Sequence, residues 1–164
     1  MKLLLQASVL AGGLALSLST LAHDPKAHAA NPPASAVNKQ AQPAVAVVEQ
    51  FSKALQSANF DQVRALLADD VLILESGGAE RSREEYLGHH AISDAAFLKG
   101  AHVQVKQRTA RVEGPLAWIG TESELHATKD GKAVTLLSTE TMILKKTGAD
   151  WRIVHIHWSS RPKK

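Results

Sequence analysis

The stretch Trp151-Arg152-Ile153-Val154-His155-Ile156-His157-Trp158-Ser159-Ser160-Arg161 constrains the fold more than any other part of this chain. It is β-branched, aromatic and alternating, and it follows a turn signal, Lys146-Thr147-Gly148-Ala149-Asp150. Residues two apart in a strand share a face. Strict alternation puts Trp151, Ile153, His155, His157 and Ser159 on one face, and Arg152, Val154, Ile156, Trp158 and Ser160 on the other. Both faces are too apolar for a strand with one side in water. A pocket on one side and a packing partner on the other would satisfy both.

The elements before it define what covers this strand. Val45, Val48, Phe51 and Leu55 recur at three- and four-residue intervals, which predicts a helix over Ala44 to Ala58. Asn59 breaks it, and Phe60 to Ala68 reads as a second short helix. Val71 to Leu74 is a short apolar strand, closed by Glu75 before the turn Ser76-Gly77-Gly78. Ser82 and Glu85 are spaced as a capping box and open a third helix, with Tyr86, Leu87 and His90 inward. Asp94 to Gly100 reads as its continuation or as a separate turn. Four strands follow: His102 to Val112, Leu116 to Thr128, Ala133 to Lys146 and the terminal strand. Val103 and Val105 alternate against Gln104, Lys106 and Arg108, and Asp130-Gly131 marks a hairpin. The order implies an α+β domain in which about three N-terminal helices pack on one face of a curved antiparallel sheet and leave a cone-shaped cavity.

The ends of the chain read differently from this domain. Lys2, the apolar run Leu3 to Leu18 and the small-residue end Thr20-Leu21-Ala22 form a secretory signal at 1–22, with cleavage expected before His23. The mature protein is then periplasmic or secreted, with no membrane span left after cleavage. Residues 23–43 are rich in Ala, Pro and Gln and read as a disordered leader, which contains His23 and His28. The domain is expected over 44–161 and a basic tail over 162–164. The formal charge of +3 is dispersed, so no clustered basic face suggests a nucleic-acid partner. The absence of cysteine excludes disulfides and thiolate chemistry, and it suits an oxidising compartment. No motif marks a cofactor.

Two stretches of this domain resemble the nuclear transport factor 2-like superfamily, whose fold is cystatin-like. One is Phe51-Ser52-Lys53-Ala54-Leu55 through Leu66-Leu67-Ala68-Asp69-Asp70-Val71. The other is the terminal strand, which is similar to that of the DUF4440 and kinase-association members. The superfamily also includes SnoaL-like cyclases and ketosteroid isomerases. The resemblance implies a small-molecule-binding cavity and a homodimer formed through the sheet. Carried over residue by residue, the isomerase base falls on Glu75 and the late-strand acid on Glu140. The position of the helix-borne tyrosine falls on Phe51, so that hydroxyl donor is absent. In the same register Phe51, Val154, Ile156 and Trp158 line the cavity, and His155 and His157 face outward.

Each candidate also has a plainer reading. Glu75 is also a strand-end residue beside a Gly-Gly turn, and Glu140 would be satisfied by an ion pair with Arg64, Arg81 or a lysine. His155 and His157 have the spacing of two zinc ligands, with His102, His126 or Glu122 as a third, but they equally suit a subunit interface. No metal site is expected from the motifs. Arg64 and Arg83 would suit either an anionic ligand or a solvated surface. The expected activity is therefore binding of an unknown small molecule. The alternatives are isomerase-, cyclase- or dehydratase-type proton transfer, with Glu75 as base and Glu140 as acid, and non-catalytic assembly.

Overall fold

The computed structural model describes residues 37–129 and 131–164. The signal segment, the first part of the leader, His23 and His28 lie outside these residues. Folded structure begins upstream of Ala44, within the segment expected to be disordered. Asn38 Oδ1 accepts hydrogen bonds from the Gln40 and Ala41 amides, capping a 3-10 turn at Lys39–Ala41. Ala41 is fully buried, and Val37 bridges to Ala110. Helix α1 (Gln42–Gln56) follows, with Pro43 in its first turn, where a missing amide costs nothing. It buries Ala44, Val45, Val48, Phe51, Ala54 and Leu55.

Helix α2 (Phe60–Leu66) starts at Asn59, whose side chain accepts from the Gln62 amide. It stops two residues earlier than its composition suggests. Leu67 is fully buried and pairs with Ile153, so the chain is already extended there. Strand β1 (Leu67–Glu75) and strand β2 (Gly78–Glu80) form a small hairpin. Helix α3 (Arg83–Gly88) has the expected reciprocal start: Ser82 Oγ accepts from the Glu85 amide, and Glu85 accepts from the Arg81 amide. His89, at φ −135° and ψ −86°, interrupts the helical path, so α4 (His90–Lys99) is a separate helix.

Strands β3 (His102–Glu113), β4 (Leu116–Lys129), β5 (Lys132–Thr147) and β6 (Asp150–Pro162) complete a six-stranded sheet ordered β2-β1-β6-β5-β4-β3. The sheet is mixed, not purely antiparallel, because β1 pairs in parallel with β6. No hairpin joins those two strands, so no turn forces them to run oppositely. Past Pro162, the Lys163 amide donates to the Thr135 carbonyl at 2.9 Å and its ammonium reaches Glu124 at 2.8 Å. That part of the expected tail is therefore tied to the sheet.

Register partners in neighbouring strands share a face, so the pairings define rows across the sheet. One row is Ile73, Ile156, Met142, Ile119 and Ala110, on β1, β6, β5, β4 and β3. Each is at most 1 % exposed, and together they form the floor of the core under the helices.

Two bulges decide which other residues join that face. Opposite Glu122 and Ser123 the β3 strand supplies Gln107 and Val105, so Lys106 is the extra residue. Opposite Ile143 and Leu144 the β6 strand supplies His155 and Ile153, so Val154 is extra. Beyond each bulge the inside and outside of the strand exchange. Trp151, Ile153, Ile156 and Trp158 thus lie on one face, and strict alternation along β6 fails at Val154.

Candidate functional site

Two residues along the same five strands from the core row lies a second row: Glu75, Trp158, Glu140, Thr121 and Arg108. All five line a pocket of about 510 Å³ between the sheet and helices α1 and α4. Strands are spaced about 4.8 Å apart, so the backbones of Glu75 and Glu140 stand roughly 10 Å apart across Trp158. The next rows outward carry Ser160, Ser138, Ser123 and Val105, then Leu136, Leu125 and Val103, all at the pocket wall. Helix α1 adds Phe51 and Leu55, and α4 adds Asp94, Phe97 and Leu98.

At one end, Trp158 Nε1–H donates to Glu140 Oε2 at 2.9 Å. Thr121 also hydrogen-bonds Glu140, and its hydroxyl oxygen accepts from Arg108 Nε at 3.2 Å. Arg108 is held from the helix side by Glu49 at 2.9 Å. Burial pushes the Glu140 carboxyl above its ordinary range, against the Trp158 hydrogen bond, the Arg108 charge and the Thr121 hydrogen bond, which favour the ionised form. Neutral Glu140 can donate a proton into the pocket while its other oxygen accepts from Trp158.

At the other end, burial raises Glu75, the negative charge of Asp94 raises it further, and His90 opposes both. Asp94 is also raised by burial, against the hydrogen bond from Tyr86 and the charge of His90. Tyr86 is fully buried and its Oη–H donates to Asp94 Oδ2 at 3.0 Å. Burial and the negative charge of Asp94 keep that phenol protonated. Between the two ends, the Trp158 ring stacks on Phe51 at 6.4 Å and meets Tyr86 at 6.2 Å.

Of the expected cavity residues, Glu75, Glu140, Phe51 and Trp158 meet at this pocket. Val154 and Ile156 do not line it. Val154 is the bulge residue, and Ile156 is sealed in the core row beneath the helices. Glu140 takes its hydrogen bonds from Trp158 and Thr121, while Arg64 pairs with Glu84 and Arg83 with Asp69 at 2.7 Å. His155 and His157 lie on the opposite face of β6, where His155 Nδ1–H donates to the Leu72 carbonyl at 2.8 Å. The His102 and His126 rings stack on each other at 6.1 Å. Among the described residues no group of three or more His, Asp or Glu is placed to hold a metal ion. Arg108, Thr121, Tyr86 and Asp94 were not expected at the site. Alternation puts Arg108 on the face opposite Val105, and only the Lys106 bulge brings it inside. The inward position of Tyr86 was the one available signal for its end of the pocket.

A sequence model described as a SnoaL-like domain matches residues 44–162. The chain belongs to the SnoaL-like domain family. No curated protein matches it by sequence. Among solved structures, this SnoaL-like domain is similar to a protein of Shewanella frigidimarina provisionally named a ketosteroid isomerase. The two are 38% identical over 69% of this chain and 91% of that one, with a TM-score of 0.67. A protein of Xanthomonas campestris, provisionally named a calcium/calmodulin-dependent protein kinase II association domain, is 22% identical. It covers 84% of this chain and 99% of its own, at a TM-score of 0.64. A nuclear transport factor 2-like protein with a cystatin-like fold from Novosphingobium aromaticivorans is 16% identical, over 71% and 79% of the two chains, at 0.61. These last two share the fold. Among the described residues no helix of this SnoaL-like domain is long and apolar enough to cross a membrane.

Proposed function

We propose that this SnoaL-like domain binds a small, partly apolar molecule in its cone-shaped pocket and moves a proton on it, with Glu75 as base and Glu140 as acid. One observation carries this reading. Two carboxyl groups of raised proton affinity flank one aromatic side chain in a single row of the sheet and face the same pocket. A bound carbonyl compound lying on Trp158 would present its oxygen to Glu140 and an adjacent C–H to Glu75. Such pairing of groups with shifted proton affinities is how one fold performs acid and base chemistry near neutral pH; the handling of protonated carboxyls by ketosteroid isomerase is an established instance. The name given to the Shewanella relative is consistent with this assignment. Phe51 supplies no hydroxyl, so the oxyanion would depend on Glu140 rather than on two donors.

The direct test is exchange of α-protons in D₂O, followed by NMR on a panel of cyclic β,γ-unsaturated ketones. The wild type should exchange at least one of them. Glu75→Gln should slow that exchange on the order of 100- to 10,000-fold with the fold intact. Equal rates in the two proteins would refute Glu75 as base.

We further propose that the protein is exported and dimerises through the outer face of its sheet. The apolar segment 3–18 supports export. On the outer face, Trp118 is 37% exposed, in a row with Ile143, His155 and Leu72, and Leu116 is 44% exposed beside Lys145. Native mass spectrometry of the protein purified from its own periplasm tests all three readings together. A protomer mass beginning at His23, a doubled native mass and an added small-molecule mass are expected. A retained segment 1–22, a monomer or an empty pocket would each remove the corresponding claim.

A further inference from the structure

The carboxylates of the described residues divide into those with partners and those without. Glu49 holds Arg108, Glu80 holds His90, Asp69 holds Arg83, and Glu124 holds Lys163. Glu140 has Trp158 and Thr121. Glu75 and Asp94 both open on the pocket, and neither is among the ion pairs of the described residues. His90, whose charge opposes the rise at Glu75, is turned onto Glu80. The one strong partner at this end is the buried Tyr86 hydroxyl, and it is spent on Asp94. The phenol keeps its proton and donates it to the carboxylate in a hydrogen bond, so it favours the ionised form of Asp94. Glu75 is left with a neighbouring negative charge and no ion-pair partner among the described residues.

We propose that Asp94, anchored by Tyr86 and opening on the same pocket as Glu75, is a positioning residue of this site that acts through Glu75. The proposal rests on the reading of Glu75 as base. Asp94 sits on α4, which lines the pocket, and Tyr86 on the neighbouring α3, whereas Glu75 is fixed in the sheet. The charged and titratable groups facing Glu75 are Asp94 and His90 on α4, Tyr86 on α3 and Glu80 on β2, with Glu140, Arg108, Glu49 and Lys53 around the same pocket. Burial is the largest effect holding the proton on Glu75; the charge of Asp94 adds to it and that of His90 opposes it. A base poised nearer to neutral pH is a stronger base than an ordinary surface glutamate.

The decisive experiment follows the Glu75 carboxyl by ¹³C NMR in protein labelled at glutamate side chains, with Glu75→Gln identifying the resonance. Asp94→Asn should move the Glu75 midpoint to lower pH, and Asp94→Ser should do the same if the first variant folds poorly. Tyr86→Phe should move the Asp94 midpoint, read in aspartate-labelled protein, to higher pH. An unmoved Glu75 midpoint in both Asp94 variants overturns the proposal. This readout needs no turnover, so it stands apart from the catalytic reading. With turnover in hand, the acid limb of the kcat/KM profile should shift to lower pH in Asp94→Asn. A lowered plateau with an unshifted limb would mean a purely structural role and would also overturn it.

Discussion

Two neighbouring rows of one sheet do opposite things. Ile73, Ile156, Met142, Ile119 and Ala110 are sealed, while Glu75, Trp158, Glu140, Thr121 and Arg108, two residues along the same strands, face a pocket. The backbone is the same and the hydrogen-bond ladder is continuous. The covering layer differs: the first row is packed into the core cluster, whereas over the second α1 and α4 line an open pocket. The pocket row therefore inherits its register from the packed one. A side chain on a strand whose neighbours are locked cannot wander, which is the mounting that proton transfer over fractions of an ångström requires. Trp158 belongs to both regions, because its ring packs against the core cluster while its Nε1 serves Glu140.

The sharpest way to break this comparison is to cut one residue in each row of the same strand. Ile156→Ala leaves a cavity in the sealed row and should cost about 2–5 kcal/mol. Trp158→Phe keeps a ring over the core but removes the donor from Glu140, and should cost about 1–3 kcal/mol. Urea unfolding at neutral pH measures both. Only Trp158→Phe should also disturb the Glu140 carboxyl. If Ile156→Ala were the milder change, the sealed row would not be what fixes the register of the site.

The general architecture was legible because it depends on patterns that survive local irregularity. The stripe Val45, Val48, Phe51 and Leu55, the Ser82–Glu85 capping box and the Asp-Gly hairpin each follow from their own residues. The parallel pairing of β1 with β6 was not legible, since it joins segments about eighty residues apart with no turn to announce it. At the site, Glu75 and Glu140 could be placed by resemblance, because the strands carrying them are regular there. Arg108 could not, since one extra residue, Lys106, reverses every inside–outside assignment that follows it. Val154 is the extra residue on β6 and is not a cavity residue, while Ile156 shares the face of Trp158 but lies in the sealed row. A bulge leaves little trace in composition. Asp94 and Tyr86 depend on how α3 and α4 close over the sheet, and no short-range signal encodes that.

The smallest expected effect separates the rows by pH rather than by size. Glu140 carries a folded-state proton affinity raised mainly by burial, so its neutral form fits the fold better than its charged form. Its contribution is fully present below the ordinary glutamate range and is lost as pH rises through the higher folded value. Glu140→Gln keeps an oxygen for Trp158 and Thr121 but cannot ionise. Near pH 4 the variant and the wild type should melt within a few degrees of each other, about 1 kcal/mol or less in a domain of this size. As pH rises, the wild type should lose stability relative to the variant, so the difference in Tm should grow in favour of Gln. Met142→Leu, one row inward, replaces one neutral core side chain with another and should show a difference that does not change with pH. A flat Glu140→Gln difference from pH 4 to pH 9 would mean that the carboxyl is as well solvated by its neighbours as by water. The polar row would then have to be understood as a binding surface without a poised acid.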